Sequence, residues 1–556
     1  PTLEKAAEVL GVDAQKDKRG KALISKLSMP QIPTKKRPTT RVTIEDDPQA
    51  YIDFYSYNID DVDAEIAVAE ATPELTDREF RLWQLDQQIN TRGVAIDREA
   101  LSNCIAIVEQ ATARMTQELH HITGGFVQSH DETGKLCQFL QAAGVQTTSV
   151  AADIVKALLE CDDLTPQARR VLELRQLLSA NSVKKVYTIQ RMTSADGRLR
   201  DLFNYCGADR TKRWAGRGAQ PQNLAGGNIE DVDGCLDVIA TRDYDRVVEA
   251  YGDPLNAVKS CLRGLFVASE GHDLICSDYS AIEAVALAAI AGEEWRLEVF
   301  RTHGKIYEMS AATITGVPFE EIIAHKEQTG EHHPLRKKVG KVAELASGYQ
   351  GALGAWKAFG ADKFMTDDEI KANVKAWRAA SPMIVKLWAG LEGAAKAAIK
   401  NHGQFFAYRG TTYGMKGETL YCKTPSGTVL QYHKARLIPD VLPWGAKTEK
   451  IVYMGWNTDR NRGAYGWTLL DTYGGKLTEN IVQSTSRDLL ADALVRTNAR
   501  GYPTVLHVHD EIVAEVPKGF GSVEEFESIM AERPEWAKDW PIKASGGWRG
   551  RRFRKD

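Results

Sequence analysis

Long hydrophobic runs are missing from this sequence. No apolar stretch approaches the length of a membrane span, and the N-terminus does not read as a signal peptide. Paired cysteines are missing too. The eight cysteines (Cys104, Cys137, Cys161, Cys206, Cys235, Cys261, Cys276, Cys422) are scattered without one C-x-x-C. That argues against zinc and against a disulfide framework, and it fits a reducing compartment. No G-x-x-x-x-G-K-[ST] loop occurs, so a nucleotide would not be held P-loop fashion. A low-complexity tract is absent, and so is a strong excess of either charge: the net charge is −4. What is there is an ordinary globular composition, 43% hydrophobic and 26% charged, over 556 residues, enough for three or four domains. The chain starts at Pro1 without methionine, so a fragment or processed product is expected.

Phosphate binding depends on local rather than net charge, and four basic clusters stand out: Lys184-Lys185, Lys212 to Arg217, Arg336 to Lys341 and Arg549 to Lys555. Each alone reads as a solvated face; together they suggest a basic cleft in an acidic body. Pro30 to Pro38 reads as a loop and Pro48 to Glu70 as helix, with Tyr57 and Asp61 on one face. Asp97 caps a long amphipathic helix, and Thr165-Pro166 starts another that breaks near Asn181. Strands and loops follow from about Leu199. Leu265 to Val267 and Leu274 to Cys276 read as a hairpin ending at Asp278. Residues 293 to about 400 are again helical. Strands resume from about Gln404, and a helix runs from about Leu477 to Arg496.

Three stretches carry candidate chemistry. Asp278-Tyr279-Ser280-Ala281-Ile282-Glu283 follows an apolar run and opens a segment, Ala284 to Ala291, that is apolar all round and therefore buried. A carboxylate there either caps the helix, with Ser280 and Glu283 as a capping box, or faces a cation at a cleft. Lys337, Lys341, Leu345 and Tyr349 recur every four residues in a helix starting at Pro334, one row that could meet a triphosphate and a base. Gly348, Gly351 and Gly354 suggest a hinge behind it. The apolar runs around His509-Asp510-Glu511 read as a hairpin with carboxylates at its tip. Asp278 and Asp510 could together hold two Mg²⁺ for phosphoryl transfer.

Asp278-Tyr279-Ser280-x-Ile282-Glu283, Lys341 with Tyr349, and His509-Asp510-Glu511 resemble motifs A, B and C of family A DNA polymerases, the relatives of bacterial DNA polymerase I. Thr211 to Asn223, Tyr473 to Asn480 and the Trp377-Arg378…Trp388 spacing are similar to the bacteriophage branch. The resemblance covers the chain from about residue 77 onward. It implies an α+β right-hand fold with palm (193–292 and 403–556), fingers (293–402) and thumb (97–192), preceded by a lead-in (77–96) and an exonuclease-like remnant (1–72). It further implies DNA-directed primer extension, two Mg²⁺ with Mn²⁺ as an acceptable substitute, primer–template DNA and dNTPs as partners, a monomer, and action in the cytoplasm of a bacterial host.

By the same resemblance, Asp278, Asp510 and the backbone carbonyl of Tyr279 would hold metal, with Glu511 as an auxiliary carboxylate. Lys341, with Arg336 or Lys337, would bind the triphosphate, Leu345 and Tyr349 would lie near the base, and Glu283 would exclude a ribose 2′-hydroxyl. Arg213, Gln222, Asn223, Gln483, His509, Lys184 and Lys185 would touch DNA. Tyr57 and Asp61 match the last exonuclease motif. Its other carboxylates are missing, so no proofreading is expected. The chain departs from the family pattern at Lys337, where arginine is usual, at Leu345, aromatic in many bacterial members, and at Lys212, where glycine is usual. The Leu345 departure implies strong rejection of dideoxynucleotides. A single-subunit RNA polymerase and an inactive DNA-binding relative are the alternatives; Glu283 and Glu511 speak against the first, the intact aspartates and Lys341 against the second.

Overall fold

The computed structural model describes residues 2–12, 20–34, 37–208, 210–224, 226–441, 445–458, 463 and 465–554. Lys555 and part of the loop from Pro30 to Pro38 lie outside them. The chain divides into two compact units, 1–83 and 84–556. The first holds α1 (Leu3–Leu10), α2 (Gly20–Ser28) and α3 (Pro48–Ala71), the last capped by Asp47 with proline in its first turn. Tyr57, buried against Gly20, and Asp61 lie on α3. The boundary falls within α4 (Asp77–Arg92).

The second unit continues with β1 (Val94–Ile96) and a helical array: α5 (Arg98–Ile122), α6 (Thr133–Ala142), α7 (Ala152–Leu159), α8 (Pro166–Leu178) and α9 (Asn181–Met192). As the sequence predicts, Asp97 caps α5 by accepting from Ala100 N–H, Thr165 caps α8, and Leu101, Ile105, Val108, Met115 and Leu119 form the buried face of α5. Short strands β2 (Arg198–Leu199), β3 (Phe203–Asn204) and β4 (Ala215–Gly216) precede three helices that the strand-and-loop expectation does not include: α10 (Val232–Ala240), α11 (Tyr244–Tyr251) and α12 (Pro254–Cys261). Asp231, Asp243 and Asp253 cap them in turn.

The expected hairpin before Asp278 does not form. β5 (Phe266–Val267) pairs with β1, whereas β6 (His272–Tyr279) pairs with two other strands. Both edges of β6 are taken, so none is left for β5. After β6 come α13 (Ile282–Ala291), α14 (Glu294–Arg301), α15 (Ile306–Thr315), α16 (Phe319–Thr329), a π-helical segment Arg336–Lys341, α17 (Val342–Ser347), α18 (Leu353–Ala358), α19 (Asp367–Ala380) and α20 (Pro382–Lys400). Six strands then make one antiparallel meander: β7 (Phe405–Tyr408), β8 (Thr411–Lys416), β9 (Thr419–Lys423), β10 (Val429–Val441), β11 (Lys447–Asn457) and β12 (Gly466–Thr472). The chain ends with α21 (Gly474–Ala499), β13 (Thr504–Val508), β14 (Glu511–Pro517), α22 (Val523–Ala531) and β15 (Ala544–Gly550). The sheet β13-β14-β6-β15 is antiparallel, with Glu511 opposite Asp278.

Three cores explain why α13 is apolar all round. Ile282 belongs to the core under β6, Ala286, Leu287 and Ile290 to one shared by α17–α20 and the six-stranded sheet, and Val285 and Ala288 to a third with α14. A helix packed on three sides has no polar face to keep. Two members of the basic cluster at the C-terminus are structural. Arg549 bonds Asp273 at 2.9 Å, and Arg552 bonds both Asp97 and Asp233 at 2.8 Å, so these two arginines tie strands and helices together instead of lining a cleft.

Candidate active site

Asp278 stands near the end of β6, and Asp510 in the tight turn from β13 to β14, where His509 takes a left-handed conformation (φ 56°). The Tyr279 N–H donates to the Asp510 carbonyl at 3.2 Å, which locks the turn against the end of β6. The two carboxylates lie within hydrogen-bond reach. Burial first, and then the charge of Asp278, push the Asp510 carboxyl up to about 7. Glu511 lies across from Asp278 and accepts from the Cys276 thiol at 2.8 Å; two residues apart on β6, Cys276 and Asp278 share a face. The Tyr279 ring is buried, its hydroxyl donating to Met530 O at 2.7 Å, so only its backbone belongs to the site.

Two adjacent half-buried carboxylates beside a strand-end carbonyl are a hard-oxygen donor set, which fits a divalent cation such as Mg²⁺. Among the described residues no three His, Cys, Asp or Glu side chains converge to hold a metal.

The capping-box expectation fails. Ser280 shares a 2.6 Å hydrogen bond with Ser545, and α13 has Ala281 at its N-cap, without a side-chain cap. Glu283 instead accepts from Arg213 at 2.8 Å and from the Tyr349 hydroxyl at 3.0 Å. Burial and the Glu283 charge hold the Tyr349 phenol well above its ordinary pKa, so it stays a donor.

The expected helix starting at Pro334 forms, but its winding changes along the cation row. Arg336 to Lys341 form a π turn, Val342 to Ser347 are α-helical, and Tyr349 lies in the turn beyond. Lys337, Lys341 and Leu345 are exposed, whereas Arg336 is bound to Glu308 at 2.7 Å. Gly340 packs so tightly on α15 that an added Cβ would lie 1.9 Å from Tyr307 O. Burial first, and then the charge of Glu344, raise the Tyr307 phenol, with smaller effects from Arg336, Glu308 and Asp510.

The turn after α17 is braced from two sides. Trp388 donates to Gly348 O at 3.0 Å and stacks on Trp377, while Arg378 donates to Gln350 O and Gly351 O at 3.2 Å. At the start of α21, Gly475 N–H donates to Gln350 Oε1 at 2.9 Å, and a Cβ on Gly475 would fall 2.3 Å from Tyr349 O. Hence the tryptophan spacing and the Gly474-Gly475 pair: both hold Tyr349 against Glu283.

Arg213, Gln222 and His509 share a small cavity with Trp214, Arg487 and His507. The Gln222 carboxamide is buried there without a partner among the described residues. Lys212, just before Arg213, has φ 57°, which accounts for glycine being usual at that position. Of the other expected DNA contacts, Gln483 bonds Glu479 at 3.3 Å, Asn223 bonds Gln220 at 3.3 Å and Lys185 reaches Gly218 O at 3.4 Å. Lys184 is exposed. Sequence reasoning misses Asp86, which accepts from Trp214 at 3.0 Å, and the Arg487 cation over the Trp214 ring at 4.8 Å. Both act from far along the chain, and no local pattern marks them.

No family model matches the chain. The DNA polymerase of Bacillus phage SP02 is 41% identical over 549 residues, spanning 98% of this chain and 82% of that relative. DNA polymerase I of Lactococcus lactis strain IL1403 is 25% identical over 261 residues, 46% of this chain and 26% of that protein. Among solved structures, the POL domain of Pol1 from M. smegmatis, in complex with DNA primer-template and dNTP, covers 99% of this chain and 81% of its own, with TM-score 0.57 and 16% identity. The fold is therefore the α+β fold of a polymerase domain. The chain belongs to the family A DNA polymerases, in their bacteriophage branch, and is a DNA-directed DNA polymerase. Nothing favours an RNA polymerase. A divalent metal requirement follows from membership, and no described helix is long and apolar enough to cross a membrane.

Proposed function

We propose that the enzyme extends a primer 3′ end on template DNA, with Asp278, Asp510 and the Tyr279 carbonyl holding two Mg²⁺ ions, which Mn²⁺ can replace. Bound there, the ions would activate the primer hydroxyl and stabilise the leaving oxygen. The observation that carries the reading is the pairing of Asp278 with Asp510 at one sheet end, beside the cation row. Glu511, held by Cys276, steadies that end as an auxiliary carboxylate.

Lys337 and Lys341 bind the triphosphate, and Lys341 neutralises or protonates the departing pyrophosphate. Arg336 is committed to Glu308, which supports Lys337 as the second cation. Leu345 borders the incoming base and Tyr349 the templating base. Glu283, fixed by Arg213 and Tyr349, fills the space of a ribose 2′-hydroxyl. Arg213, Gln222 and His509, with Asn223, Gln483, Lys184 and Lys185, receive the primer–template. The solved relative's complex with primer-template and dNTP supports both partners.

In this reading 97–192 is thumb, 193–292 and 403–556 palm, 293–402 fingers, 77–96 the lead-in and 1–72 the exonuclease-like remnant with Tyr57 and Asp61; the enzyme acts as a monomer in a bacterial host's cytoplasm. Primer extension with Mg²⁺ by the wild type and by Asp510→Ala tests it. The wild type should extend and the variant should not; equal extension by both would overturn the metal assignment.

A further inference from the structure

Inside the helices that carry the cation row lies a charge pair that the proposed chemistry does not use. Arg296 of α14 and Glu344 of α17 pair at 2.5 Å, with side chains only 3% and 6% exposed. One carboxylate oxygen of Glu344 takes the arginine. The other accepts from the Ser310 hydroxyl of α15 at 2.6 Å and from the Trp377 indole N–H of α19 at 3.0 Å. Arg296 donates onward to Ser381, at the start of α20, at 2.9 Å, and lies over the rings of Trp295 and Trp377 at 4.5 and 4.9 Å. Side chains of α14, α15, α17 and α19 and the cap of α20 thus meet at one ion pair. Such a pair is a poor source of stability. Desolvating two charges costs about what their attraction returns, and apolar side chains of similar volume often hold helices together as well. What apolar packing does not supply is direction: a carboxylate with fixed donors holds its helix against sliding and turning.

Glu344 comes three residues after Lys341 and one before Leu345, both of which are exposed. Upstream of it, Arg336 binds Glu308 at 2.7 Å and Gly340 seats on Tyr307 O. With the Ser310 bond, three anchors therefore join this segment to one turn of α15. They bracket the π turn Arg336–Lys341, a winding that is rare and gathers at functional sites. We propose that Glu344 is a positioning residue for the incoming nucleotide. Held by Arg296, Ser310 and Trp377, it fixes the rotation and register of α17, and with them the place where Lys341 meets the triphosphate. It touches no substrate and acts through Lys341. The inference rests on the reading of Lys341 as a triphosphate-binding cation.

The test measures equilibrium binding of the next correct dNTP, with Mg²⁺, to the enzyme on a primer–template whose primer ends in a dideoxynucleotide, so that no bond forms. Arg296→Met with Glu344→Gln removes both charges together and leaves an oxygen at position 344 to accept from Ser310 and Trp377. This double variant should unfold in urea as the wild type does and bind primer–template equally, yet bind dNTP about tenfold more weakly, because a displaced contact loses most of its effect. Ser310→Ala, which removes a single hydrogen bond, should weaken dNTP binding by about twofold to fivefold. On a Lys341→Ala background the double variant should add little further loss, since both changes act through one contact. Wild-type affinity in a double variant that folds, or a loss of the same size with and without Lys341, would overturn the proposal. If the double variant does not fold, wild-type affinity in Ser310→Ala overturns it. Lys341→Ala binding dNTP as the wild type does would instead sink the reading of the cation row, a distinguishable result.

Discussion

The two halves of the candidate site are held in opposite ways. Asp278 lies near the end of a strand with a buried centre and Asp510 just after a fully buried one, in a turn locked by a backbone hydrogen bond. Lys337 and Lys341 stand exposed on a π turn. The chemistry explains the contrast. Burial, and then the charge of the neighbouring Asp278, both resist ionisation of Asp510, so a rigid, densely packed sheet is needed to impose their approach. Lysines that, in the proposed reading, would bind a triphosphate lose nothing by staying hydrated until it arrives. Their register is set by the backbone instead, through the tight seat of Gly340 on α15.

The comparison can be broken first at the rigid half. Asp278→Asn should abolish primer extension while leaving thermal unfolding nearly unchanged or slightly improved, because one source of repulsion is gone. Residual extension within a few fold of wild type would contradict the metal role. On the exposed half, Lys341→Ala should lower the extension rate by about a hundredfold, the scale of losing one charge-stabilising donor. Pre-steady-state nucleotide incorporation reads it, and stability should not move. Gly340→Ala attacks the same half through its backbone. Forcing a methyl against Tyr307 O should cost about 1–3 kcal/mol by urea unfolding and weaken dNTP binding, whereas Gly403→Ala, in an open loop, should not affect dNTP binding. Glu283→Ala lies between the halves. It should admit ribonucleotides and, by freeing Arg213 and Tyr349, cost about 1 kcal/mol. Unchanged rejection of ribonucleotides would return Glu283 to a merely structural part. The smallest test is the Leu345 departure: poor termination by dideoxynucleotides is expected, and efficient termination would remove Leu345 from the sugar's neighbourhood.

Much of the fold was legible because its signals are local. Asp97 and Thr165-Pro166 mark real helix starts, since a cap or an N1 proline acts within one turn. The hairpin around His509-Asp510 was readable from two apolar runs and a polar turn. The failures are non-local. Phe266-Val267 looks like half of a hairpin, yet its partner is Val94–Ile96, far back in the chain. Ser280 and Glu283 have capping-box spacing, yet stronger partners, Ser545, Arg213 and Tyr349, arrive from elsewhere. Arg549 and Arg552 look like a phosphate-binding cluster and are consumed by Asp273, Asp97 and Asp233.

By itself the sequence determined which groups exist and at what spacing: two aspartates at strand ends, a lysine row, a helix with no polar face. Spacing along a helix or strand fixes which side chains can share a face, and the motif order was enough to mark the family. Only the tertiary structure decided which groups meet. It put Asp510 beside Asp278, committed Arg336 to Glu308 while leaving Lys337 exposed, and buried Arg296 against Glu344. The physical reason is that hydrogen bonds and ion pairs act over a few ångströms, and nothing local along the chain says which distant residue will come that close.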